Sequence, residues 1–216
     1  MLLPLPVAPG GDVPHDDPQL LEKGAALPDT GQTVVIVGKD GRKADRRATR
    51  TIRAILKAFV ALVQERSYSS VTVGGIVTRA DVGRSTFYDH FRGKDEVLLT
   101  SMSWMFAILA DAACADAPDA DLEMLVAHFW SNRRLARAVL APSVEPKLRR
   151  ALADAVEARL STVRDPGERR IAAVRIAAGQ LAVLGAWTRG EMSVETAQVC
   201  SALVAGRDTQ MKPGCR

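Results

Sequence analysis

The sequence predicts an all-α fold of about nine helices, and two observations carry that prediction. From about residue 45 onward, apolar residues recur at the three- and four-residue spacing that places them on one helix face, between short breaks rich in Gly, Pro and Asp. No strand-like alternation follows residue 38. The chain has 216 residues, 47% of them hydrophobic, so it can bury a sizeable core.

The first 43 residues are predicted to be a disordered leader that ends in basic residues. Residues 1–33 are rich in Pro, Gly and Asp and show no sustained apolar period. The N-terminus lacks the basic residues of a signal peptide, and prolines interrupt its apolar part. No apolar run reaches the length of a membrane span. We therefore expect a cytoplasmic protein with no membrane partner.

The periodic segments divide the rest of the chain into two predicted domains, at 44–97 and 98–216. In the first, Thr72 is a good N-cap for a short second helix, and "DVG" is brief enough for the tight turn of a helix-turn-helix. The fourth helix is predicted as one long element from Lys94 or Asp95 into the second domain. The predicted helices cover about 45–65, 72–79, 84–91, 94–113, 120–131, 133–140, 146–163, 167–188 and 193–206.

Basic charge is concentrated in one part of the chain. The formal net charge is only +4, but residues 39–94 hold thirteen basic and five acidic residues. Such a block is the electrostatic footprint of a protein that binds a polyanion, and nucleic acid is the first candidate. A solvated basic surface is the alternative that charge alone leaves open.

The stretch "VGRSTFYDHFRGKDEV", at 82–97, combines aromatic and polar residues on the predicted third helix. Phe87 and Phe91 are four residues apart, so they share one face and can pin the helix against its neighbours. Tyr88 lies on a neighbouring face, where its hydroxyl could reach a phosphate. The N-terminal end of such a helix contacts base edges in the major groove, and here it carries Arg84, Ser85 and Thr86.

Other basic residues flank this stretch. Lys94 opens the fourth helix, where an ammonium group and free backbone N–H groups could both face a phosphate. Arg46 and Arg47 open the first helix and could follow the DNA backbone or enter the minor groove.

Residues 46–100 resemble the DNA-binding domain of the tetracycline-repressor (TetR) family of transcription regulators. The motif that carries the resemblance is "TVGGIVTRADVGRSTFYDHFRGKDEVL", from Thr72 to Leu98. The resemblance implies a homodimer bound to palindromic double-stranded DNA and a C-terminal helical domain that binds a small-molecule inducer. It also implies that Thr72, Tyr88 and Lys94 hold phosphates, and that Arg84, Ser85 and Thr86 face the bases.

Two positions depart from the family pattern. The second helix opens with "TVGG", so Gly75 occupies the N3 position and no capping box with Thr72 is possible. Asp81 replaces the usual turn glycine, and Asp tolerates the left-handed backbone conformation better than most residues.

The C-terminal domain offers an apolar pocket and a dimer interface as predictions. Pockets of this kind are mostly apolar with few polar groups, and the candidates for lining one are Trp104, Ile108, Met124, His128, Phe129 and Gln180. Small residues at helical spacing in 171–187 favour close helix packing in a dimeric four-helix bundle, for which the candidates are Leu181, Leu184, Trp187, Val199 and Leu203. An ordinary intramolecular core is the alternative for both sets.

Nothing in the sequence predicts an enzyme, a metal site or a cofactor. The three cysteines show no ligand spacing, and no nucleophile, carboxylate pair or nucleotide-binding loop stands out. We therefore expect a regulator, most simply a repressor that releases DNA when it binds a hydrophobic or amphipathic ligand. A protein with the same fold that binds DNA but has no inducer is the alternative.

Overall fold

The structure, a computed structural model, describes residues 42–204 except 116 and 162, with the backbone alone at 42–45. Most of the predicted leader and the end of the chain therefore lie outside the described residues. The described part is helical without strands, which confirms the all-α prediction. Its α-helices are α1 Arg42–Glu65, α2 Val73–Ala80, α3 Arg84–Tyr88, α4 Lys94–Ser101, α5 Ser103–Ala112, α6 Ala120–Ser131, α7 Arg133–Val139, α8 Glu145–Arg159, α9 Pro166–Arg189 and α10 Thr196–Leu203.

Helix α1 is the amphipathic element that organises the N-terminal helices. Ile55, Phe59 and Val63 are buried on the face that the apolar spacing predicts. This face packs against α2 and α4, and α1 also contacts α7 of the C-terminal region. A 3-10 helix at Tyr68–Ser70 joins α1 to α2, and its Tyr68 ring is buried edge-on to Phe59 at 6.2 Å between centroids.

The turn between α2 and α3 depends on Asp81. This residue has φ 53° and ψ 50°, the left-handed conformation that most non-glycine residues avoid. Its N–H group bonds to the carbonyls of Thr78 and Val77, and the next N–H, of Val82, bonds to Val77 O at 3.2 Å. These bonds satisfy the last carbonyls of α2, so the turn forms despite the missing glycine.

The predicted single fourth helix is two helices, which corrects the sequence-based expectation. The break lies at Met102, where φ is −107° and ψ is 4°. On either side a serine hydroxyl donates to a helical carbonyl, Ser101 to Leu98 at 2.7 Å and Ser103 to Thr100 at 3.0 Å. Such bonds compete with the helix ladder and bend helices. The connection between the N-terminal and C-terminal helices is therefore made by two separate helices, α4 and α5, and not by one rigid helix.

Helix α9 is the centre of the C-terminal region. It packs most extensively against α8 and also contacts α10, α7 and α6. Asp165 caps its first turn by accepting from the Glu168 N–H at 2.7 Å, and Gly190 closes it with φ 80°. By length and composition α9 could cross a membrane, but half of its most apolar stretch is buried against other helices, as in a core helix.

Two tryptophans stack where α6 and α9 end. Trp187 is buried and donates its indole N–H to Val194 O at 3.2 Å. Trp130, which is 45% exposed, covers it at 4.8 Å between ring centroids with 27° between the planes. The Arg133 guanidinium lies over the Trp130 ring at 5.5 Å. The pair closes one end of the C-terminal core.

Candidate nucleic-acid interface

Helix α3 presents polar side chains at its N-terminal end. Arg84 and Ser85 are exposed and Thr86 is partly exposed. Gly83, the N-cap residue, supplies no side chain to bond the first N–H groups of the helix. The end of α3 therefore offers backbone and side-chain donors together, the combination that binds phosphates and base edges.

Neighbouring aromatic residues on α3 have opposite environments. Phe87 is fully buried and lies 5.8 Å from the Phe91 ring, whereas the Tyr88 side chain is 57% exposed. The Phe87 and Tyr88 rings meet edge-on at 5.4 Å. Phe87 and Phe91 pack into the core and hold the helix in place, so the Tyr88 hydroxyl can point toward solvent.

The start of α2 lies beside α3. The Thr72 hydroxyl accepts a hydrogen bond from the Gly75 N–H at 3.1 Å, which is the N-cap that the sequence predicts. A Cβ atom added at Gly74 would lie 3.5 Å from a terminal nitrogen of Arg84. The Arg84 side chain therefore lies beside the start of α2, and a side chain at position 74 would be in ordinary contact with it.

Lys94 differs from its expected position. Its ammonium group donates to three backbone carbonyls, of Tyr68 at 3.0 Å, Ser69 at 3.2 Å and Val71 at 2.8 Å. It also lies 4.6 Å from the centre of the Tyr68 ring. The Lys94 ammonium is thus engaged within the protein, where it holds the segment before α2. A contact of the first backbone N–H groups of α4 with a phosphate stays a prediction.

Asp95 joins this cluster to the C-terminal region. Its carboxylate accepts from the Tyr68 hydroxyl and from the Lys147 ammonium of α8, the latter at 2.6 Å. Burial alone would raise the pKa of the Asp95 carboxyl, but the hydrogen bonds from Lys147 and Tyr68 and the two lysine charges outweigh it and lower that pKa. Burial, followed by the bond to Asp95, raises the pKa of the Tyr68 hydroxyl.

A row of cations follows the outer face of α1. Arg46, Arg50, Arg53 and Lys57 are exposed and recur at helical spacing, so they point the same way. Arg47 is exposed on a neighbouring face. Part of the basic block that the sequence analysis identified therefore forms a row of exposed cations on this helix.

The proposed pocket residues are only partly brought together. The Trp104 and His128 rings meet edge-on at 5.4 Å across α5 and α6, and Phe129 is buried. Burial lowers the pKa of the His128 imidazole, which favours its neutral form. Met124 is 40% exposed on the outer side of α6 and does not line an interior site. Ile108 is half-buried on α5, one turn from Trp104.

Gln180 is the buried polar group of the C-terminal core. Its amide nitrogen donates to Leu109 O and to Leu203 O, both at 2.9 Å, and so joins α9 to α5 and α10. Its side-chain oxygen is buried and has no hydrogen-bond partner within the described part of the chain. An unsatisfied buried acceptor is costly, so a donor group placed beside this oxygen would gain a hydrogen bond.

The five residues predicted for a dimer interface lie in the core of a single chain. Leu181, Leu184, Trp187, Val199 and Leu203 are all at most 2% exposed. Three of them lie on α9 and two on α10, helices that pack against each other within one chain, so the structure supports the intramolecular alternative. The face of α9 that remains open carries Ile171, Val174, Ala178, Ala182 and Val183.

Comparison with known proteins finds similarity to transcription regulators over part of the chain. Residues 55–100 match the sequence profile described as bacterial regulatory proteins, tetR family. The chain is 35% identical over 71 residues to the uncharacterized HTH-type transcriptional regulator YxbF of Bacillus subtilis (strain 168), a match covering 32% of this chain and 19% of YxbF. It is 38% identical over 56 residues to the HTH-type dhaKLM operon transcriptional activator DhaS of Lactococcus lactis subsp. lactis (strain IL1403), covering 26% of this chain and 28% of DhaS.

A similarity to a solved structure extends over more of the chain. A TetR transcriptional regulator from Streptococcus agalactiae 2603V superposes with a TM-score of 0.51 at 25% identity, over 75% of this chain and 96% of that one. The matches to YxbF and DhaS span less than a third of either relative. By their names all three proteins are regulators of transcription.

Sequence reasoning missed the Tyr68–Asp95–Lys147 cluster. Tyr68 and Asp95 are 27 residues apart, and no motif links them. Lys147 lies 52 residues from Asp95 and belongs to no motif. No pattern in a single sequence could have paired them. Within the described part of the chain, no group of His, Cys, Asp and Glu could hold a metal ion.

Proposed function

Because residues 55–100 form a helix-turn-helix domain of the tetR family, we propose that the protein is a DNA-binding transcription regulator. The observation that carries the proposal is the exposure of Arg84, Ser85 and Tyr88 on a helix whose Phe87 is fully buried. Polar groups on a helix fixed in this way can enter the major groove in one orientation. The basic surface of α1 supplies attraction to the DNA backbone.

The protein acts, in this proposal, as a homodimer on a palindromic operator. One helix-turn-helix covers too little DNA for tight specific binding, and two copies read half-sites about one DNA turn apart. The exposed face of α9 is the candidate contact, because Ile171 is 63% and Val174 39% exposed beside small residues that allow close approach. The proposed interface is therefore the exposed side of α9, and the buried residues Leu181, Leu184 and Trp187 lie on its other side.

A small apolar ligand with one hydrogen-bond donor is proposed to bind the C-terminal region. The unpartnered Gln180 oxygen supports a donor group, and the surrounding side chains are apolar. Ligand binding releases DNA only to the extent that the ligand prefers the released state, and operator DNA must weaken ligand binding by the same factor. A ligand that stabilises the protein without changing operator affinity would instead support the alternative without an inducer.

Repression in the cytoplasm is the proposed outcome of operator binding, since a bound dimer excludes other proteins from the same DNA. The relative DhaS is by its name an activator, so the direction needs its own test. A reporter gene placed behind the selected operator, with and without the protein, measures it. A rise in expression when the protein is present would contradict repression and leave DNA binding intact.

The function is tested by selecting duplexes from random or genomic DNA and comparing two variants. Arg84→Ala is expected to cost about 1–3 kcal/mol on the selected operator and to relax base preference, because an arginine can bind a guanine bidentately. Tyr88→Phe is expected to weaken all duplexes about equally, because a phosphate carries no sequence information. Selection of no common sequence, or an inverted repeat bound by a monomer, would contradict the proposal.

A further inference from the structure

We propose that Lys147 on α8 is a positioning residue for DNA binding, acting through Asp95 and Tyr68 on the two ends of the helix-turn-helix. This inference rests on the proposed DNA-binding function and names how the C-terminal region influences it. Lys147 touches no part of the DNA-facing surface of α3. It acts by holding the segments that precede α2 and open α4.

The contacts converge on those segments from both sides. Tyr68 lies in the 3-10 helix four residues before Thr72, the N-cap of α2. Asp95 is in the first turn of α4, the helix that follows α3 and begins after its N-cap residue, Gly93. The Tyr68 hydroxyl donates to one Asp95 oxygen, and Lys147 donates to the other at 2.6 Å. A single carboxylate therefore joins the segment before α2, the start of α4 and α8.

The Tyr68 ring adds a second link between the same elements. The Lys94 ammonium lies 4.6 Å from its centre and the Lys147 ammonium 5.6 Å, so both cations contact one aromatic ring. Lys94 also fixes the carbonyls of Tyr68, Ser69 and Val71. Withdrawal of Lys147 would remove charge and contact from a cluster whose other members all belong to the DNA-binding region.

Helix α8 is suited to transmit a change from the C-terminal core. It packs mainly against α9 and α5, the helices joined by the Gln180 side chain. The break at Met102 means that α4 is not a rigid continuation of α5. The contact between Lys147 and Asp95 therefore links α8 to α4 without passing through the break at Met102. Since Lys147 and Asp95 are 42% and 50% exposed, their ion pair adds little to global stability and can open without unfolding the protein.

The test compares operator affinity for four variants of the full chain. Lys147→Met is expected to weaken operator binding about five- to tenfold, a coupling of the size that links sites in other proteins. Lys147→Arg is expected to retain binding, because it keeps the cation. Asp95→Asn removes a negative charge near a polyanion, so simple electrostatics predicts tighter binding, whereas positioning predicts weaker binding. Arg150→Met removes an exposed cation from the same helix and is the matched charge control.

Two further measurements separate positioning from general effects. Combining Lys147→Met with Asp95→Asn should cost no more than either change alone, because both break one link. Hydrogen exchange of residues 68–75 and 92–99 should rise in Lys147→Met while the thermal midpoint stays near that of the parent. If Lys147→Met loses as much free energy of unfolding as it loses free energy of operator binding, the effect is general destabilisation and the inference is overturned.

The remaining outcomes are equally decisive. Equal losses of operator affinity in Lys147→Met and Arg150→Met would mean that Lys147 contributes only its charge. Tighter operator binding by Asp95→Asn would lead to the same conclusion. Unchanged operator binding by Lys147→Met, with a parent protein that binds, would overturn the inference and leave the proposed function standing. A parent protein that binds no selected duplex would overturn both.

Discussion

Helices α1 and α9 each have 24 residues, yet they use that length in opposite ways. Helix α1 buries one face through Ile55, Phe59 and Val63 and exposes a row of cations on the other. Helix α9 is apolar or small on nearly every side, and several helices enclose it. It buries Leu181 and Leu184, yet it leaves Ile171 and Val174 exposed.

The difference shows when a sequence can identify the buried face of a helix. An amphipathic helix such as α1 has one apolar face, so its orientation follows from the spacing alone. In α9 the pattern gives no such asymmetry, and the neighbours decide which apolar residues are enclosed. The prediction for α9 named the enclosed residues as an interface because periodicity could not separate the two faces.

The largest expected effect comes from the two faces of α9. Leu184→Ala should lower the free energy of unfolding by about 2–5 kcal/mol, because it removes a fully buried side chain and leaves a cavity. Ile171→Ala should change the stability of the single chain by less than about 0.5 kcal/mol, because that side chain is exposed, but should weaken the dimer. Urea unfolding and sedimentation at several protein concentrations measure both. If Leu184→Ala lost the dimer but kept its stability, the buried face of α9 would be the dimer interface, as the sequence analysis predicted.

The outer face of α1 provides the next test. Replacing Arg46 and Arg50 together by Gln should lower DNA affinity about 10- to 50-fold at low salt, and should flatten the slope of log affinity against log salt by roughly 1–2. The loss should be the same on operator and scrambled duplexes, because phosphate contacts carry no sequence information. Arg134→Gln with Arg150→Gln removes the same charge from the C-terminal region. If both pairs flatten the slope equally, the α1 surface has no specific part in binding.

A smaller effect is expected where α2 meets α1. Gly75→Glu should stabilise the protein by about 1–2 kcal/mol, because it replaces a helical glycine and supplies the missing partner of Thr72. The site has room, since an added Cβ atom would lie 3.4 Å from an Arg66 nitrogen and 3.8 Å from Leu62. The thermal midpoint and operator affinity should be measured together, with Gly75→Ala as the control for helix propensity alone. A lower midpoint in both variants would mean that α1 and α2 need the glycine to pack.

The smallest effect concerns pH and His128, which lies on α6 beside Trp104 of α5. Burial lowers the pKa of His128 in the folded protein, so the folded state binds fewer protons than the unfolded state below about pH 6.5. The contribution of His128 to stability is therefore complete above that pH and is lost as the pH falls through the lowered value. Between about pH 8 and about pH 5, the midpoint of thermal unfolding should fall less steeply in His128→Gln than in the parent. Identical slopes would mean that His128 titrates alike in both states.

The sequence predicted the DNA-binding region well because local rules decide it. Thr72 caps α2, Asp81 takes the left-handed turn and the two phenylalanines of α3 are buried, each as its residue type demands. The tetR-family resemblance of this region is confirmed by the family profile over residues 55–100. The DNA contacts, the ligand and the dimer remain predictions.

Three features of the structure did not follow from the sequence patterns. The break at Met102 arises from serine hydroxyls that were counted as ordinary helix residues. Lys94 was expected to face DNA, but carbonyls 23 to 26 residues away engage its ammonium group. Lys147 finds Asp95 only because α8 folds back beside α4. The contacts of Lys94 and the Lys147–Asp95 pair depend on tertiary packing, which a single sequence does not encode as a local pattern.

The stacked pair of Trp130 and Trp187 makes the protein optically informative. Two indole rings 4.8 Å apart couple their electronic transitions, so they should produce a paired positive and negative band in circular dichroism. One ring belongs to α6 and the other to the end of α9, so the band records whether those two helix ends stay together. Separation of the two helices by a ligand or by dimer formation would reduce the band without any added label.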